Sequence, residues 1–170
     1  MHRLTVVAVL LITGCAHRAV PPAAAVSRPA LPLAAPAEAP ATADAIAEVE
    51  AALRDVSVRF AFDRDLLDEG GMKALQKLAR ALRKHPAVRV TIAGNADERG
   101  TEEYNFLLAQ RRAEAAKTYL TVLGVRDEQL STISYGAEKP LTEEQSEDGY
   151  ALNRRDDVTI DRGTSVASAE

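Results

Sequence analysis

Tryptophan is absent from this chain of 170 residues, the other aromatics amount to three Phe and four Tyr, and cysteine occurs once, at Cys15. Histidine is nearly as scarce, with His2, His17 and His85. Each shortage excludes something. A single cysteine cannot close an internal disulfide. With His85 alone in the part of the chain expected to fold, neither a Ser-His triad nor the usual zinc site can be assembled, so no metal or cofactor is expected. His85 precedes Pro86 at an expected helix end, where an exposed polar cap is its default role. Carboxylates are plentiful enough for a glycosidase-like pair. So few aromatics, however, are poor material for stacking along a glycan, and an enzyme is not expected. Basic surface is also missing. Over residues 44–160, 17 Lys and Arg oppose 22 Asp and Glu, a net of −5. Nucleic acid and anionic lipid therefore find no cationic patch to bind.

Long apolar runs are missing too. The single short one, Leu4 to Ile12, is interrupted only by Thr5 and follows the basic start Met1-His2-Arg3. About 20 apolar residues are needed to span a bilayer, so this run is expected to be a signal peptide over residues 1–14. Ile12-Thr13-Gly14-Cys15 resembles the lipobox of bacterial lipoproteins, in which the cysteine becomes the acylated first residue of the mature chain. The resemblance gives the lone thiol a use: Cys15 is the expected lipidation site and outer-membrane lipid its partner. One acyl chain holds a protein only marginally, at about 0.8 kcal/mol per buried methylene, while several hold it stably. Ala16 follows the cysteine in place of Asp, which in the lipoproteins it resembles favours passage to the outer membrane.

Residues 16–43 are dominated by Ala and Pro, with six of the eight prolines at 21, 22, 29, 32, 36 and 40. Such a segment cannot offset the entropy of ordering, so residues 15–43 are expected to be a linker. Its reach lies between about 30 Å as a flexible coil and about 85 Å as extended polyproline II. Residues 44–161 form the expected domain, and residues 162–170 a disordered tail.

Within that domain the periodicity alternates. Residues 45–54 predict a short amphipathic helix, and Val56, Val58, Phe60 and Phe62 predict one side of a strand. After the turn Asp63-Arg64-Asp65, Met72, Leu75, Leu78, Ala79 and Leu82 predict a helix that His85-Pro86 stops. Val88, Val90 and Ile92 predict a second strand. A long helix follows the loop Gly94 to Gly100, with Leu107, Leu108, Arg111 or Arg112, Ala115, Tyr119 and Val122 as its expected inner face. Gly124 is placed to end it. Leu130 to Tyr135 is the third expected strand, and Val158 with Ile160 belongs to a fourth. The expected class is α/β, α+β in strict terms: a four-stranded mixed sheet with helices packed on one face. The sheet is expected to be mixed because no helix is foreseen between the last two strands. Asp156 shares a face with Val158 and Ile160, and burying it unpaired would cost several kcal/mol. It is therefore expected to pair with an arginine or to lie at a frayed strand start.

The segment Gly94-Asn95-Ala96-Asp97-Glu98-Arg99-Gly100-Thr101 joins the second strand to the long helix. Backbone N–H groups at a helix start are unpaired and can receive an anion. Asp97 adds a carboxylate, Asn105 lies in the first helical turns, and Arg111 and Arg112 come two turns later. A loop doubling back along its helix could bring Asp97 and one arginine around a small zwitterion, the carboxylate taking an ammonium and the guanidinium a carboxylate.

The stretch from Val58 to Ile160 resembles the OmpA-like peptidoglycan-binding domains, and among them the peptidoglycan-associated lipoproteins. The resemblance rests on Phe60-Ala61-Phe62-Asp63, on the loop above with Glu102-Glu103-Tyr104-Asn105, and on Gln110-Arg111-Arg112-Ala113. Ser134-Tyr135-Gly136-Ala137-Glu138-Lys139-Pro140 and Asn153-Arg154-Arg155 carry it further. It implies non-covalent binding of the diaminopimelate of peptidoglycan stem peptides, whose side chain ends in an ammonium and a carboxylate on one carbon. Carried over by motif, Asp97 is the ammonium partner, Arg112 the carboxylate partner and Asn105 a support, with Asp63 and Arg155 lining the same pocket. Arg111 is read as an exposed-face residue. The resemblance further implies a place on the periplasmic face of the outer membrane, a role in a Tol–Pal system in envelope integrity and cell division, and contact with a TolB-like periplasmic protein. Three features depart from the family: Asn95 stands where many relatives have His, Asp156 where an apolar residue is usual, and Glu143 to Asp148 form an acidic loop. Two other functions remain open, a structural lipoprotein serving a secretion or motor complex and a wall hydrolase using Asp97 and Glu98.

Overall fold

The computed structural model describes residues 41–54 and 56–161. The signal peptide, Cys15, nearly all of the linker and the tail from residue 162 lie outside the described residues. The elements are α1 (Ala43–Leu53), β1 (Val58–Arg59), α2 (Glu69–Lys84), β2 (Val90–Gly94), α3 (Glu102–Val122), β3 (Leu130–Ser134), α4 (Glu147–Asn153) and β4 (Arg155–Ile160). Each helix opens on a side chain that accepts an otherwise orphaned amide. Thr42 takes Ala45 N, Asp68 takes Gly71 N, Thr101 takes Tyr104 N and Ser146 takes Gly149 N. Such caps stabilise a helix start by about 1 kcal/mol each. Helix α2 stops at His85 before Pro86, whose ring disfavours helical backbone at the preceding residue. His85 is only partly exposed and its Nε2 lies 2.7 Å from Glu48 of α1. Gly124 follows α3 at φ 87°, a conformation that costs a residue with a Cβ.

The sheet order is β1-β4-β2-β3. Strands β2 and β3 are parallel, with Val90 opposite Leu130 and Gly94 opposite Ser134. Strand β4 is antiparallel to both neighbours, setting Asp156 opposite Gly94 on one side and Val58 on the other. The mixed sheet is present, but the reason expected for it is not, because α4 lies between β3 and β4. Two turns long, α4 does not cross the sheet. Strand β4 enters from the end at which β2 and β3 stop, and its direction follows from that.

Helices α1, α2 and α3 enclose one core with the inner face of the sheet. Val49, Leu75, Leu78, Leu82, Val88, Val90, Ile92, Ala113, Ala116 and Leu120 are buried together with Val58 and Phe60. Each large apolar side chain so buried contributes about 1.5–3 kcal/mol. On the outer face Thr91 and Ser131 join hydroxyls at 2.7 Å.

Three expectations need correction. Strand β1 has two residues, not seven, and Phe62 is 57% exposed. Beyond Phe60 the chain leaves the sheet in a turn with Asp63 at φ 53°, and Ala61 and Arg64 give their carbonyls to Arg112. The inner face of α3 is Asn105, Leu108, Ala109, Arg112, Ala113, Ala116 and Leu120, whereas Leu107 and Val122 are 46% and 77% exposed. Small residues decide this. A Cβ on Gly94 would stand 2.0 Å from the Ala109 carbonyl oxygen, so helix and strand touch backbone to backbone there. Finally, Asp156 is neither hydrogen-bonded to an arginine nor frayed. It is 3% exposed inside the β4 register, and neither carboxyl oxygen has a hydrogen-bond partner.

Candidate functional site

The loop between β2 and α3 is tied down along its length. Asn95 N donates to Arg155 O, Ala96 N to Gly136 O, and the Asn95 amide to Ala93 O and Asp157. The loop wall, the first turns of α3 and the chain leaving β1 enclose a cavity of about 250 Å³. Its lining includes Phe62, Asp63, Asp97, Arg99, Gly100, Tyr104, Asn105, Leu108 and Arg112. Four residues singled out in the sequence, Asp97, Arg112, Asn105 and Asp63, therefore meet at one place.

Asp97 is 5% exposed and already holds two cations. Arg99 approaches it with Nε at 3.2 Å, Nη2 at 2.8 Å and its backbone N at 3.1 Å, and Arg154 with Nη1 at 3.1 Å. Burial alone would push this carboxyl up; the hydrogen bonds from Arg99 and Arg154 outweigh it and hold the group below its ordinary value. Arg99 is itself sandwiched, its guanidinium 4.2 Å from the Phe62 ring and 4.3 Å from the Tyr150 ring, with Glu147 at 3.2 Å. Attraction of a cation to an aromatic face explains how Phe62 can leave the core and still be held.

Arg112 is fully buried. Its Nε donates to Arg64 O at 2.8 Å, Nη1 to Asn95 O at 3.0 Å and Nη2 to Ala61 O at 3.2 Å. Three of five N–H donors are thus committed to backbone carbonyls, and two are uncommitted. Burial lowers its pKa to about 10, with the charge of Asp156 acting in the opposite direction, so it remains a cation at neutral pH. Asn105 is 3% exposed, in the first turn of α3. Asp63 accepts a hydrogen bond from the Tyr104 hydroxyl. Arg111 is exposed, as expected, and it pairs with Asp65.

Arg155 does not reach the cavity. It bonds Asp157 at 2.9 Å and approaches Lys139 O at 3.4 Å on the outer face of the sheet. Arg154 takes the inner place, bonding Phe60 O, Asp97 and Glu147. Side chains alternate along a strand, so the two arginines face opposite ways. Parity with Asp156, Val158 and Ile160 already puts residue 154 on the core side, a signal present in the sequence. Arg99 lay within the loop motif two residues from Asp97, whereas nothing local pointed to Glu147 or Tyr150. Among the described residues no group of three or more His, Cys, Asp or Glu side chains could hold a metal ion.

The model of the OmpA family matches residues 59–154. The chain is similar to the peptidoglycan-associated lipoprotein of Pasteurella multocida, 46% identical over 99 residues, which are 58% of this chain and 66% of that one. To the protein of the same name from Pseudomonas putida it is 43% identical over 107 residues, 62% of this chain and 64% of the relative. The alignments thus span just under two thirds of the curated relatives' length. Among solved structures, the peptidoglycan-associated lipoprotein from Burkholderia pseudomallei matches with a TM-score of 0.62 and 42% identity, over 64% of this chain and 92% of that one. The C-terminal domain of Helicobacter pylori MotB matches in fold, with a TM-score of 0.58 at 23% identity, over 64% of this chain and 85% of that one.

Proposed function

Because this chain belongs to the OmpA family, we propose that it is a lipid-anchored envelope protein that grips peptidoglycan without covalent chemistry, through the diaminopimelate of the stem peptide. The observation that carries this reading is the meeting of Asp97, Arg112 and Asn105 around one cavity, although they come from a loop and three turns of a helix. The ligand's ammonium approaches Asp97, sharing that carboxylate with Arg154 and loosening Arg99, which keeps Glu147 and two rings when it yields. The ligand's carboxylate takes the two uncommitted N–H groups of Arg112, with the Asn105 amide beside it. A rigid cradle of this kind loses little entropy on binding.

Binding, not catalysis, is then the activity. A signal over residues 1–14, acylation at Cys15, the linker over residues 15–43, the domain over residues 44–161 and a tail over residues 162–170 make a tether from the periplasmic face of the outer membrane to the wall. This reading includes a Tol–Pal system acting in envelope integrity and cell division, with a TolB-like protein as partner. Sedimentation with purified diaminopimelate-type sacculi tests its core. The full-length chain should co-sediment and be released by free meso-diaminopimelate. Asp97→Asn and Arg112→Lys, which keep the volume and the buried charge respectively, should each lose about tenfold or more in binding, the cost of one charge-assisted contact. Unchanged co-sedimentation of the double variant would remove the pocket from the account.

A further inference from the structure

Asp156 stands where burial and charge conflict. Its carboxyl is 3% exposed, neither oxygen accepts a hydrogen bond, and an apolar side chain would fill the strand position at no electrostatic cost. The fold places it in the strand next to the point where the helix bearing the cavity's guanidinium meets the sheet. Gly94, its partner across the ladder, is where α3 touches the sheet through Ala109, and Arg112 follows on the same helix. Arg112 then sends Nη1 to Asn95 O, the residue after Gly94, and Nη2 to Ala61 O beside Phe60. No hydrogen bond joins Asp156 to Arg112, yet each is the other's leading charge partner.

Resting on the wall-binding reading above, we infer that Asp156 is a positioning residue for the ligand: protonated, it leaves the Arg112 cation to the ligand's carboxylate, and ionised, it competes for that cation and loosens the grip. The charged groups acting on Asp156 are Arg112 from α3 and Asp157 next to it in β4, while its ladder partners Val58 of β1 and Gly94 of β2 do not titrate. Arg112 in turn feels Arg154, Asp97 and Asp65. Burial pushes the Asp156 carboxyl up to about 8 against the pull of Arg112, so it is mostly protonated at neutral pH and ionises in mild alkali. A bound carboxylate adds negative charge beside it and raises that value further. By reciprocity, ionisation weakens the ligand by the same factor.

The test follows binding of the full-length chain, in detergent, to diaminopimelate-type sacculi between pH 6.5 and 9.5, together with Asp156→Asn and Asp156→Ala. Wild-type binding should weaken by about tenfold from pH 7 to pH 9 beyond any loss in the variants, a coupling of ordinary size. In neither variant should binding show that additional loss. Titration of the ligand's own ammonium is common to all three proteins and cancels in the comparison. Carbon-13 carboxyl spectra should show the Asp156 titration moving to higher pH when meso-diaminopimelate is added. Coincident profiles for wild type and Asp156→Asn, or an Asp156 titration that ignores the ligand, would overturn the inference and leave the wall-binding reading intact. Failure of wild type to bind sacculi at pH 7 would overturn both.

Discussion

At the scale of the residue, the site consists of ions removed from water. Asp97, Arg112 and Arg154 are each at most 5% exposed, and taking one ion out of water costs several kcal/mol unless it is fully bonded. Asp97 meets that condition through two arginines, and Arg112 meets it in part, with three of its five N–H donors on backbone carbonyls. Asp156 does not, and the difference is measurable. Its folded-state pKa is raised from 3.8 to about 8, chiefly by burial, so the folded chain holds a proton that the unfolded chain releases. Stability from this group is fully present below pH 4 and is lost as pH rises to about 8, at about 1.4 kcal/mol per pH unit. Denaturant titrations should therefore show Asp156→Asn more stable than wild type by several kcal/mol at pH 7.5, the two converging near pH 4. Parallel pH dependences would mean that Asp156 titrates normally.

At the scale of the element, the cradle depends on how closely α3 approaches β2. That spacing is set by Gly94 against Ala109, with Ala113 and Ala116 continuing the small-residue seam. Since α3 carries Asn105 and Arg112, and the end of β2 opens the loop bearing Asp97, the seam fixes both halves of the site. Gly94→Ala should cost about 1–3 kcal/mol or more by overpacking, measured as a lowered denaturation midpoint. It should also weaken wall binding, because the helix must shift outward to admit the methyl group. A variant of wild-type stability would show that the seam can relax. Strand β4 matters in another way: one residue of slip would exchange Arg154 for Arg155 at the site.

At the scale of the whole molecule, residues 44–160 carry a net charge of −5, and the proposed attachment to a membrane rests on Cys15. Cys15→Ser should move the protein from the membrane fraction to the soluble periplasmic fraction while leaving its co-sedimentation with sacculi unchanged. Persistent membrane association of that variant would point to a second anchor. On the proposed reading, a linker over residues 15–43 with a reach between about 30 and 85 Å would let the domain stand clear of the bilayer.

The periodicities in the chain determined the number and order of the long helices and the four strands, because apolar spacing and capping residues act locally. The loop motif put Asp97, Asn105 and one of the paired arginines in one neighbourhood, since a loop and the helix it starts stay close whatever else the chain does, while the choice of Arg112 came from the resemblance. Tertiary structure alone decided the rest. Residues 90–94 and 155–160 are neighbours only through the sheet, so the antiparallel entry of β4, the bond from Arg154 to Asp97 and the absence of any hydrogen-bond partner for the Asp156 carboxyl could not be read from local spacing. The turn of α3 about its axis was settled by a glycine and three alanines, whose value lies in the backbone contact they permit and not in their own hydrophobicity. Arg99 holds to rings separated by 88 residues of chain, Phe62 and Tyr150, and only the folded chain brings them face to face.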